Sequence, residues 1–126
     1  MSVDIVIELD NEPGALAALA AAVSDAGVNL AAATFTSGGE KAELQILVPH
    51  AEPVRHALAI THASVTTREH EVVVVDVEDN PGVLADLTRK IAEAGVNIDT
   101  LYVATGNRVV FGSADIAGLK KALGKS

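Results

Sequence analysis

The sequence predicts an α+β protein of two βαββαβ units in tandem, each an antiparallel sheet with helices on one face, the second lacking its last strand. Three observations predict it. The stretch Asp10-Asn11-Glu12-Pro13-Gly14-Ala15-Leu16, running on to Ala26-Gly27-Val28-Asn29-Leu30, returns 68 residues later as Glu78-Asp79-Asn80-Pro81-Gly82-Val83-Leu84, running on to Ala94-Gly95-Val96-Asn97-Ile98. Between Pro13 and Gly38 ten positions are identical at that offset, among them Pro13/Pro81, Gly14/Gly82, Gly27/Gly95 and Asn29/Asn97. Chance pairing at average residue usage would give about two or three. An internal repeat of this kind decides architecture before any single element does. Around each copy, β-branched runs alternate with runs of helical period. No linker separates the copies, since His70-Glu71 joins two strand-like runs directly; the units are therefore 1–70 and 71–126.

The elements follow in order. Val3 to Leu9 is β-branched with partial alternation, a strand that Asp10 and Asn11 stop. Pro13 fits the first turn of a helix, where its missing N–H costs nothing, and Asn11 is a candidate cap. Leu16, Leu19, Val23 and Ala26 recur at helical spacing, and Gly27 stands where a left-handed residue ends the helix. Val28 to Thr36 is a second strand, Ser37-Gly38-Gly39-Glu40 a hairpin turn, and Lys41 to Val48 a third strand. Pro53 opens a short helix through Ile60, and Ser64 to His70 is a polar fourth strand.

The second unit repeats the plan. Glu71 to Val77 is a strand, Pro81 to Ala94 a helix with Leu84, Leu87 and Ile91 inward, and Val96 to Ala104 a strand. Gly106-Asn107 makes the turn into a strand over Arg108 to Ser113, and Asp115 to Leu123 is the last helix. The chain then reaches Ser126 without a sixth element, so the sheet edge of this unit is expected to be covered by the other half or by a partner chain. A βαββαβ unit folds as a ferredoxin-like sandwich. Many unrelated functions use that scaffold, so topology alone assigns none.

Composition narrows the function classes. Hydrophobic residues make up 49% but aromatics only 2%, so the cores are aliphatic. The net charge of −8 disfavours nucleic acid, which asks for basic surface and stacking platforms; Phe35, Tyr102 and Phe111 are the only aromatics. With no cysteine there is neither a disulfide framework nor a thiolate metal site. The apolar run Ala15 to Val23 is far short of a membrane span, and no signal peptide stands at Met1-Ser2-Val3-Asp4, which makes a cytoplasmic location the expectation. Nothing looks catalytic. His50, His56, His62 and His70 lie in one half without duplicates, and Ser24, Ser37, Ser64 and Ser113 have no nucleophile-elbow context. No glycine-rich phosphate loop and no cofactor signature is present. An acylphosphatase-like enzyme would need an arginine in the first turn, where Asp10 and Glu12 stand.

The motif Asp-Asn-x-Pro-Gly-x-Leu, a helix, then Gly-Val-Asn-Leu/Ile resembles the ACT domain, a regulatory module that senses amino acids. It stands here as Asp10 to Leu16 with Gly27-Val28-Asn29-Leu30, and as Asp79-Asn80-Pro81-Gly82-Val83-Leu84 with Gly95-Val96-Asn97-Ile98. The resemblance covers nearly the whole chain. It implies ACT-like units that pair side by side in a homodimer, with a free amino acid between the first loop of one unit and the second strand of its neighbour. Carried over by residue, it implies ligand contacts at Asn11, Glu12, Pro13, Gly14, Ala15, Leu16 and Asn29, and at Asp79, Asn80, Pro81, Gly82, Val83, Leu84 and Asn97. It implies a non-catalytic sensor with an amino-acid-metabolism enzyme as partner. The alternative is a ligand-free subunit that dimerises and docks on such an enzyme.

Physical chemistry makes the loops apt for an amino acid. A helix N-terminus offers unpaired N–H groups and partial positive charge to a carboxylate. Gly14 and Gly82 would let a ligand approach the backbone, Asn29 or Asn97 can both donate and accept, and Asp10, Glu78 and Asp79 supply charge for an ammonium group. The same residues also have a structural reading: Asn11 and Asp79 as helix caps, Pro-Gly as turn formers, and Asn29 and Asn97 as partners of nearby backbone. The second loop departs from the first, with Asp79 in place of Asn11 and Asn80 in place of Glu12.

Overall fold

The computed structural model describes residues 3–60 and 65–125. They form two compact units, dividing between His70 and Glu71. The first is β1 (Val3–Asp10), α1 (Ala15–Asp25), β2 (Ala32–Gly38), β3 (Lys41–Val48), α2 (Glu52–Ile60) and β4 (Thr66–Glu71), with sheet order β2-β3-β1-β4. The second is β5 (Val73–Asp76), α3 (Val83–Glu93), β6 (Thr100–Ala104), β7 (Arg108–Gly112) and α4 (Ile116–Ala122), with sheet order β5-β7-β6. Both orders are those of a ferredoxin-like sandwich; the second unit shows the first three of its strands.

Strand alternation places the first core. On β1, Ile5, Ile7 and Leu9 face the helices, and on β3 their neighbours are Leu44, Ile46 and Val48; Leu19 of α1 and Val54 and Leu58 of α2 close over them. Antiparallel register runs from Val3↔Val48 to Asp10↔Lys41 between β1 and β3. The other face of the sheet holds Val6 and Leu47 with one buried carboxylate, Asp4, whose Oδ2 accepts from Gln45 Nε2 at 3.1 Å. In the second unit Val73, Val109 and Phe111 pack against Ile91 of α3 and Leu119 of α4. Glu71 and Lys120 form an ion pair there.

Several sequence expectations shift. The second strand of each unit starts about four residues later than its apolar run. Val28 and Val96 pack on the cores from loop positions, and the ladders open where Ala31 N–H meets Leu47 O at 2.9 Å and Asp99 N–H meets Gly112 O at 2.8 Å. An apolar run reports burial, which a loop residue can also have. Helices α1 and α3 begin two residues after their prolines, with Gly14 and Gly82 as N-caps. Neither helix has a side-chain cap, so Asn11 and Asp79 do not cap. Glu71 ends β4 instead of opening β5, which starts at Val73. His62 and Ser64 lie outside the described residues. Among those residues no group of three or more His, Asp or Glu could hold a metal ion, and no helix is long and apolar enough to cross a membrane.

The two hairpins also differ. In the first unit β2 pairs with β3 from Ala32↔Leu47 to Gly38↔Lys41, leaving Gly39-Glu40 as the turn. In the second, β6 and β7 pair only from Thr100↔Gly112 to Ala104↔Arg108, with three residues in the turn. Gly38 and Gly106, identical at the repeat offset, are therefore not equivalent. Gly38 pairs in a strand, whereas Gly106 sits in the turn at φ +76°.

Candidate functional site

Each strand-to-helix loop enters its helix through a glycine at φ +90°, Gly14 in one unit and Gly82 in the other. A side chain at such φ is strained, although nothing stands within 4 Å of where a Cβ would lie. Glycine is thus required by the backbone path, and the space above it is open. Ala18 N–H reaches Gly14 O at 3.0 Å and Asp86 N–H reaches Gly82 O at 2.9 Å, so each glycine carbonyl starts the helix ladder. Ala15 N–H bonds Glu12 O at 3.2 Å and Val83 N–H bonds Asn80 O at 3.4 Å; with no side-chain cap, the next first-turn N–H groups are left to solvent or a ligand. A carboxylate suits that position.

In the first loop Asn11, Glu12, Pro13 and Gly14 are exposed while Ala15 and Leu16 are half-buried. Asn11 is spoken for: its N–H donates to Glu40 O at 2.9 Å and its Nδ2 to Gly39 O at 2.7 Å. Lys41 Nζ lies 2.7 Å from Asp10 Oδ1, and that hydrogen bond, then the Asp10 charge, raises the Lys41 pKa above its ordinary 10.5. Neither Lys41 nor the hairpin tip figures among the sequence candidates, because their proximity to Asp10 depends on the β1–β3 register. A hollow of about 160 Å³ beside the loop is lined by Asp10, Glu12, Ala15, Leu19 and Val65, among others.

On the other side of α1 lies a larger apolar cleft, about 390 Å³, between Leu16, Ala20 and Val23 of the helix and Leu30, Ala33 and Leu44 of the sheet side. Leu16 is the one sequence-predicted site residue in its wall, and Asn29, exposed, immediately precedes Leu30. The cleft exists because α1 leaves β2 uncovered. Its helix side, Leu16, Ala20, Val23 and Ser24, includes small residues that leave the gap unfilled.

In the second loop Asp79, Asn80, Pro81, Gly82 and Leu84 are exposed and Val83 half-buried. Its ties are local. Asn80 N–H bonds Glu78 O at 2.9 Å, and Asn80 Nδ2 bonds Glu78 Oε2 at 3.0 Å. Asn97 donates from Nδ2 to Asp99 Oδ1 at 3.2 Å, and its carbonyl accepts from Ser113 Oγ at 2.6 Å. Among the described residues these bonds of Asn97 have no counterpart at Asn29.

The sequence model of the ACT domain family matches residues 70–123. No curated protein matches the chain significantly. Among solved structures, protein BT0572 from Bacteroides thetaiotaomicron superposes with TM-score 0.84 at 23% identity, over 97% of this chain and 85% of that one. The ligand-free regulatory subunit of aspartate kinase from Thermus thermophilus gives 0.66 at 17% identity, over 98% and 90%. The allosteric aspartate kinase of Clostridium acetobutylicum gives 0.56 at 13% identity, over 96% of this chain and 32% of that enzyme. At such identities the structural likeness speaks for the fold, and the family match for the module. Residues 70–123 of this chain thus match the ACT domain, and the chain as a whole has the fold of two such units in tandem.

Proposed function

We propose that this protein is a non-catalytic sensor of a free amino acid, a homodimer that regulates an enzyme of amino-acid metabolism. Its units are 1–70 and 71–126, and the ligand-contacting loops are those at Asn11–Leu16 and Asp79–Leu84, with Asn29 and Asn97. One observation carries the reading: a glycine-entered helix N-terminus without a side-chain cap occurs at the same place in both units of an ACT tandem. That geometry offers donors to a carboxylate, and nearby Glu12 and Asp79 offer charge to an ammonium group. The relatives named as regulatory subunits of aspartate kinase support a regulatory role.

Assembly through the edge of the first sheet fits the same reading. Strand β2 is an edge strand exposed from Ala33 to Gly38, and it lies in a stretch, Ala26 to Gly39, without a charged residue. The opposite edge strand, β4, carries Arg68, Glu69, His70 and Glu71, the usual protection against pairing. In a chain of net charge −8, an uncharged edge is where a second copy can approach. This edge equally favours a second reading, a ligand-free subunit that docks on an enzyme. Equilibrium dialysis against free L-amino acids tests the sensor: binding lost in Asn29→Ala or Asn97→Ala supports it. Partner docking with no amino acid bound would favour the ligand-free subunit.

A further inference from the structure

We infer that the two loops are unequal: Asn11 is a positioning residue that latches the first loop to its hairpin, so that the first loop is the preformed, tighter site and the second a weaker one. The inference rests on the sensor reading and adds to it which loop binds and what holds that loop ready. The first difference between the units is strand length. Strand β1 has eight residues and pairs with β3 as far as Asp10↔Lys41, whereas β5 has four and its pairing with β7 stops at Asp76↔Arg108. The longer ladder carries the Gly39-Glu40 turn up to the loop that follows β1.

Three contacts then hold that loop. Asn11 N–H bonds Glu40 O at 2.9 Å, Asn11 Nδ2 bonds Gly39 O at 2.7 Å, and Lys41 Nζ pairs with Asp10 Oδ1 at 2.7 Å. Asn11 thereby spends its side-chain N–H on the hairpin, and acts on a ligand only by fixing the path from Asp10 to Gly14. In the second unit the last tie to the hairpin among the described residues is Val77 N–H to Asn107 O at 2.9 Å; beyond it, Asn80 bonds back to Glu78 two residues earlier. Asp79, the counterpart of Asn11, has no side-chain amide with which to reach a carbonyl. A loop already held in one conformation loses less freedom on binding, so its affinity is higher for the same contacts. The identical Pro-Gly entries of the two units therefore hide a difference made by hairpin length and by the change from Asn11 to Asp79.

The test uses the full chain and two readouts. Without ligand, amide hydrogen exchange should be slow at Asn11 and fast at Asp79, and Asn11→Ala or the isosteric Asn11→Asp should speed exchange across residues 11–15 and 39–41. A residue that only touched ligand would leave ligand-free exchange unchanged, and that result overturns the latch. Titration calorimetry with the twenty L-amino acids should show one tight site per chain. Its affinity should fall about 2- to 12-fold in both Asn11 variants, the loss of one hydrogen bond, and stay unchanged in Arg89→Ala on the surface of α3. Two sites of equal affinity, or a tight site indifferent to Asn11, would overturn the inequality. Should no amino acid bind the wild type, the sensor reading falls, and equal exchange at Asn11 and Asp79 would then overturn the latch on its own.

Discussion

Lys41 Nζ stands 2.7 Å from Asp10 Oδ1, so the first residue of β3 holds the last residue of β1 at the mouth of the first loop. The Asp10 carboxylate raises the Lys41 pKa above 10.5 through their hydrogen bond and their charges. A base whose folded pKa is raised gives stability that is complete below its unfolded pKa and is lost as pH climbs through the folded value. Wild type and Lys41→Met should therefore differ by a constant amount in urea unfolding from neutral pH up to about pH 10, and converge above it. The pair is solvent-exposed, so the difference should be small and should shrink with added salt.

Gly14 and Gly82 both sit at φ +90° with open space where a Cβ would go. Steric crowding cannot penalise alanine there, and backbone strain alone must. Gly14→Ala and Gly82→Ala should each cost about 1–2 kcal/mol in denaturant unfolding. Values near zero would mean that the loops relax out of the left-handed region.

Capping divides the helices. Asp115 Oδ1 accepts from Gly118 N–H at 2.9 Å and caps α4, while α1 and α3 have no side-chain cap. Asp115→Ala should cost about 1 kcal/mol. Asp79→Ala should leave stability within about 0.5 kcal/mol of wild type, as surface changes do.

Phe35 is 43% exposed at the middle of β2, whereas Phe111 is fully buried in the second core. Phe111→Ala should cost about 3–5 kcal/mol. Phe35→Asp should instead leave the fold intact and place a charge on an edge that has none, halving the mass measured by light scattering. A wild-type mass of one chain, or a dimer mass unchanged in Phe35→Asp, would contradict assembly through this edge.

Much of the fold was legible because the repeat fixed every element but β4 twice. The bounds of β3, Lys41 to Val48, could be read from alternation between a glycine turn and Pro49, and Gly27 and Gly95 could be read as helix ends from their place after an aliphatic stripe. Less legible were features that depend on register. Asn11 reads as a cap from its distance to Pro13, yet the hairpin tip, brought close by the β1–β3 ladder, takes its side chain instead. The late start of β2 was hidden because Val28 packs half-buried on the core without being in a strand. At the candidate site, sequence located the two loops, and only the differing hairpins show how they differ.

The central claim is that a free amino acid binds this protein, and thermal denaturation against each of the twenty L-amino acids at millimolar concentration tests it most directly. Ligand at about 100 times its dissociation constant adds about 2.7 kcal/mol of stability. In a chain of 126 residues that raises the midpoint by several degrees. Such a rise is expected with one or a few amino acids, diminished in Asn29→Ala or Asn97→Ala. A flat response to all twenty would contradict it and leave the ligand-free docking subunit as the reading to pursue.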